Sequence, residues 1–218
     1  MPTKNKAIKS ELLTSLFQKA AIALFLQLLG IGVAYLMQVS FARWLGVVQY
    51  GIYEYVISIA TFLGFLAGLG LPNCLLRFIP KYIVGEDWGK LRGIVWGSWR
   101  YVFFSSLIIT CLGIVAVVTW QQYSELNIIL AAFILGMATI PLWALARHQR
   151  EMSRGIEQMT LAYLPSTIAF PILAIAGGFY YRQNLSSTGA VAIVILSLCI
   201  VLSIQLVTFN RQLPVQDP

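Results

Sequence analysis

Charge is scarce in this chain of 218 residues: Asp, Glu, Lys and Arg together make up 11%, with 8 acids and a single histidine. A soluble domain carries about 25% charged residues, so a large hydrated surface is excluded. The windows 20–42, 55–76, 101–124, 126–146, 158–181 and 183–210 contain no charged residue at all. Each exceeds the roughly 20 residues that a helix needs to cross a hydrocarbon core. Six such windows leave little room for a soluble domain. The expected fold class is therefore all-α, a polytopic membrane protein with six transmembrane helices.

Other absences narrow the chemistry. Three cysteines, Cys74, Cys111 and Cys199, give no disulfide framework and no metal-ligand spacing, and read as small apolar packing residues. No Asp or Glu lies inside the charge-free windows, and the lone His148 falls at a membrane edge, where it reads as a solvated surface residue. An intramembrane hydrolase needs a nucleophile with a partner, or a metal set. Ser105, Ser106, Thr139, Ser166 and Thr167 lack a neighbouring base, and such hydroxyls ordinarily bond back to their own helix. No phosphate-binding glycine loop occurs. The expectation is a non-enzyme without cofactor or metal. No soluble basic face exists, so nucleic acid is not an expected partner.

The charges that are present fix an orientation. With the N-terminus inside, inner segments hold thirteen cations: Lys4, Lys6, Lys9, Lys19, Arg77, Lys81, Lys90, Arg92, Arg100, Arg147, Arg150, Arg154 and Arg211. Outer loops hold only Arg43 and Arg182. This positive-inside bias predicts a multi-pass protein of the inner (cytoplasmic) membrane with both termini cytoplasmic. The net charge of +7 then reflects topology, with some attraction to anionic membrane lipids.

The expected organisation is a cytoplasmic segment (1–19), six spans near 20–42, 52–72, 101–120, 126–146, 160–181 and 188–209, and a tail (211–218). In the first segment, Ile8, Leu12, Leu13, Leu16 and Phe17 recur at helical spacing, which suits either a surface helix or a plain basic topology signal. The first span is too long for a signal sequence and should stay in the mature protein. Gln27 and Gln38 lie nearly three turns apart on one face, which should look at another helix or a watered cavity. Ala60, Gly64 and Gly68 form a small-residue stripe suited to close helix packing. Gly70 and Pro72 loosen the end of the second span, and 73–93 reads as an inner-face helical extension and turn. Trp88, Trp96, Trp99, Trp120 and Trp143 fall near membrane boundaries as an interfacial belt. The connection 121–127, with Glu125, suits a tight outer turn. Pro141 and Pro171 should bend the fourth and fifth spans.

Arg147, Arg150 and Arg154 recur at i, i+3 and i+7. If the fourth helix continues past the membrane they share one sector, where they would meet lipid phosphates or a lipid-linked phosphate, or serve only as topology charges. Glu151 and Glu157 partly neutralise them.

Several motifs recur together in order: Ala42-Arg43-Trp44-Leu45-Gly46, Tyr50-Gly51-Ile52-Tyr53, Gly68-Leu69-Gly70-Leu71-Pro72, Leu75-Leu76-Arg77-Phe78, and 85–92. Further on come Arg154-Gly155-Ile156-Glu157-Gln158 and Leu161-Ala162-Tyr163-Leu164-Pro165. This ordered set resembles the N-terminal region of polysaccharide and O-antigen flippases, in the multidrug, oligosaccharidyl-lipid and polysaccharide exporter superfamily. The resemblance implies one six-helix lobe of a two-lobe transporter, translocating an undecaprenyl-pyrophosphate-linked oligosaccharide through a cationic cavity by alternating access. It implies a partner body, either a second copy or a separate C-terminal lobe. Under that scheme Arg43 and Arg77 are candidate pyrophosphate contacts, against a plain snorkelling role. Gln27, Gln38 and Asn73 are candidate contacts to sugar hydroxyls. The alternatives are a multidrug-type exporter lobe, against which the missing intramembrane carboxylate argues, and a non-transporting membrane scaffold or assembly partner.

Overall fold

A computed structural model describes residues 2–121 and 130–212 of the chain, and the described residues form helices joined by turns. The proposed outer turn, with Gln122 and Glu125, and the tail beyond Gln212 lie outside the described residues. The long helices carry large apolar side chains on their outer faces, among them Phe25, Leu28, Phe104, Ile108 and Leu112. Among the described residues, five helical stretches are long and apolar enough to cross a bilayer. The first, Ala20–Ala67, has 48 residues, more than twice the length that one crossing needs. The molecule is thus an all-α polytopic membrane protein.

Helix α1 (Pro2–Ala67) consists of two arms meeting at Gly46, the one residue inside it with non-helical backbone angles (φ 71°, ψ 172°). This region of conformational space is essentially reserved for glycine. Across the corner the Phe41 and Tyr53 rings pack at 5.3 Å, both buried. The first arm continues unbroken through residues 19 and 20, so no backbone break separates the amphipathic stretch from the first span. The side chains of residues 2–16, on which its apolar face rests, lie outside the description.

The second arm ends where Leu69 and Gly70 adopt positive φ. Pro72 opens α2 (Leu71–Val84), where its missing N–H costs nothing. Helix α3 (Trp88–Gln121) begins thirteen residues before the expected span at 101–120. Helices α4 (Leu130–Ala138) and α5 (Ile140–Gly155) are interrupted at Thr139, with Pro141 in the first turn of α5. Pro141 cannot donate to the Met137 carbonyl, and the Thr110 hydroxyl of α3 lies 3.4 Å from that oxygen. Helix α6 (Met159–Tyr163) passes through a π-helical segment (Leu164–Ala169) into α7 (Phe170–Tyr181), with Pro165 and Pro171 at the two junctions. Ser166 and Thr167 donate to the Ala162 and Tyr163 carbonyls one turn back, as hydroxyls do beside irregular membrane helix. Pro141 and Pro171 therefore both sit where regular α-helix is interrupted. Helix α8 (Ser187–Gln212) is the last of the described helices.

Close approaches set the directions of these legs. Gly30 abuts Thr167, and Gly178 abuts Phe41 and Trp44, so the first arm runs parallel to α7. Gly136 meets Val56 and Gly64 meets Ile140 and Trp143, so the second arm runs parallel to α4 and α5. Contacts Ser98–His148 and Thr110–Met137 make α3 antiparallel to that pair. Leu202 shares a cluster with Leu145, and Phe209 one with Met152, a step of seven in each helix that makes α8 parallel to α5. Of the small-residue stripe, Ala60 and Gly64 pack on α4 and α5, whereas Gly68 packs on Pro72 in the following turn.

Candidate functional site

A cleft of about 620 Å³ opens between the second arm of α1, α5 and the π-helical segment. Its α1 wall is Glu54, Ile57, Ser58, Thr61, Phe62 and Phe65. The positions 54, 58, 61 and 65 repeat at helical spacing, on a face roughly a quarter to a third of a turn around the helix from Gly64 and Ala60. Close packing of one face therefore turns the polar face toward the cleft. Trp143, Ala146, Arg147 and Arg150 supply the α5 wall, and Ser166 comes from the π-helical segment. The half-buried Trp143 packs edge-on against Phe170 with ring centres 5.3 Å apart.

The charges divide into paired and unpaired. Glu151, almost fully buried, accepts a hydrogen bond from Arg154 Nη1 at 2.6 Å and lies 3.6 Å from Arg150 Nε. Arg147 has no carboxylate at ion-pair distance among the described residues. Its guanidinium instead lies 4.2 Å over the Phe65 ring, a cation–π contact that holds the charge in the cleft. The continuation of α5 through Gly155 puts all three arginines on one helix as expected, but only Arg147 and Arg150 reach the cleft. Arg154 turns toward Glu151 and the Tyr163 ring.

The other candidate residues lie outside this cleft, and the reading of His148 needs correction. Gln27 and Gln38 are exposed and face no other described helix of this chain, because the first arm packs through Gly30, Met37 and Phe41 instead. Arg43, Arg77 and Asn73 are exposed and do not line the cleft: Arg43 lies near the Gly46 corner, the others on α2. His148 is not a surface residue. Because α5 continues and packs on α2 and α3, its ring is fully buried and its Nε2 lies 3.2 Å from Ser98 Oγ. Trp96 and Trp120 are exposed as belt residues should be, whereas the indole nitrogens of Trp99 and Trp143 are buried.

The largest correction concerns the acids. Glu54 lies inside the second arm and lines the cleft, with Tyr50 Oη donating to its Oε1 at 2.9 Å. It sits one residue before a charge-free window, so a count of empty windows overlooks it. The 54–58–61 polar spacing was the signal that could have found it, together with Ser58 and Thr61.

A cleft lined by two guanidinium groups, one carboxylate, several hydroxyls and an indole, among helices long and apolar enough to cross a bilayer, belongs to a multi-pass membrane protein. The sequence matches the polysaccharide biosynthesis protein family over residues 16–213, and the chain belongs to that family. No curated protein and no solved structure matches it significantly. Membership associates the chain with polysaccharide synthesis or export, in a family whose members are typically transporters rather than enzymes.

Proposed function

We propose that this chain forms one lobe of a transporter that moves a lipid-linked oligosaccharide precursor from the inner to the outer leaflet. The observation that carries this reading is Arg147, a guanidinium with no ion-pair partner among the described residues, facing a cleft among membrane-spanning helices, with Arg150 one turn away. A pyrophosphate cannot cross hydrocarbon bare. Guanidinium groups pair with it bidentately and replace part of its hydration, while the lipid tail stays in the bilayer. Alternating access requires a second body, either another copy or a separate C-terminal lobe, rocking about the shared cleft. The positive-inside charge distribution supports an inner-membrane location with cytoplasmic termini. In nanodiscs the purified chain should bind undecaprenyl pyrophosphate, and the Arg147→Ala/Arg150→Ala double variant should lose that binding. Undiminished binding by the double variant would sink the proposal.

Glu54 favours a second reading, a multidrug-type exporter lobe, because it removes the objection that the lobe holds no intramembrane carboxylate. Efflux of a cationic dye that depends on Glu54 and not on Arg147 would support that alternative.

A further inference from the structure

We infer that the cleft is divided into two subsites, and that its Glu54 end selects neutral or amino-bearing sugars over acidic ones. The inference rests on the phosphate-binding reading just given and adds the class of glycan. Glu54 and Phe65 stand 11 positions apart on one helix, a separation of about 16 Å. Arg147 sits over Phe65, so the cations occupy one end of the cleft and its one lining carboxylate the other. A single anion-binding pocket would not be built with a carboxylate. An elongated ligand with phosphate at one end and sugars at the other fits that polarity.

The stretch between the ends suits sugar hydroxyls. Ser58 and Thr61 line it, and the Thr61 hydroxyl donates to the Ile57 carbonyl at 2.7 Å, which leaves its oxygen to accept. At the far end Tyr50 occupies one oxygen of Glu54 and leaves the other for a ligand. A carboxylate so placed accepts from a hydroxyl or pairs with an ammonium group, and repels a uronic acid.

The test uses the full chain in nanodiscs and two farnesyl-pyrophosphate conjugates. One carries a neutral tetrasaccharide, the other the same glycan with a terminal glucuronic acid. The neutral conjugate should bind about tenfold more tightly, the size of a like-charge repulsion across ~12 Å at an effective dielectric near 20. Glu54→Gln should bring that ratio to about one, and Ser58→Asp should widen it. Equal binding of both conjugates by the unaltered chain, or an unchanged ratio in Glu54→Gln, overturns the inference. Farnesyl pyrophosphate without a glycan tests the underlying reading separately: its binding should fall in Arg147→Ala and should not weaken in Glu54→Gln, which removes a negative charge from the far end of the cleft. A Glu54-dependent ratio with no Arg147 dependence would keep the sugar subsite and discard the phosphate one.

Discussion

Arg147, Arg150 and Arg154 are chemically identical and one or two turns apart, yet their surroundings give them different work. A carboxylate already shared by Arg150 and Arg154 leaves those two less free to meet an anion, whereas Arg147 lies over a ring face with no carboxylate at ion-pair distance among the described residues. Hydrogen bonds to charged groups contribute about 1.5–3 kcal/mol, so Arg147→Ala should weaken pyrophosphate binding by roughly 10- to 100-fold. Arg154→Ala should weaken it by much less. Arg43→Ala and Arg77→Ala, on exposed faces outside the cleft, should leave binding in the isolated chain nearly unchanged. Titration of each variant with the same probe checks the ordering, and a larger loss for Arg77→Ala than for Arg147→Ala would refute it. The spacing of the three arginines was legible in the sequence. Their division was not, because it depends on which way a buried Glu151 turns and on Phe65, about eighty residues earlier.

Helices here meet through glycines, and the consequences differ by site. A methyl group on Gly136 would overlap Val56 Cγ1, at the contact that sets α4 against the second arm. Gly136→Ala should therefore cost about 1–3 kcal/mol through overpacking, and Val56→Ala should restore most of the loss by making room. Gly46 is the opposite case: nothing lies near an added Cβ, but the backbone occupies a glycine-only region. Gly46→Ala should cost about 1–3 kcal/mol by strain alone, and no neighbouring truncation should rescue it. Thermal unfolding in detergent, followed by circular dichroism, separates the two mechanisms. The Ala60–Gly64 stripe and the proline interruptions could be read from spacing, since small residues and missing N–H groups act locally. The length of α5 could not, because its charged final turns owe their helical state to packing on α2 and α3. The same packing buries His148, which sequence alone makes look solvated.

At the scale of the whole molecule, apolar run lengths revealed a polytopic helical protein, but not how the legs share their surfaces. Helices α5 and α8 bury much of their length, whereas the first arm of α1 exposes a broad face that includes Gln27 and Gln38. An amide left in hydrocarbon without a partner costs about 1–3 kcal/mol, and two on one face of one helix double that penalty. Lipid-facing surface has no reason to carry them, and a second body covering the first arm would satisfy both. The chain should therefore associate in the membrane, and Gln27→Leu/Gln38→Leu should weaken association without unfolding the lobe. Donor- and acceptor-labelled chains, diluted progressively in liposomes, should keep energy transfer at high dilution, with transfer dropping in the double variant. A chain that is monomeric at every dilution, or an unchanged dimer in the variant, would count against this face as the contact. Transport should follow the same dependence: the chain alone should not complete flipping, since one lobe has nothing to rock against. Liposomes carrying a monomeric lobe that moves a lipid-linked oligosaccharide would overturn that expectation.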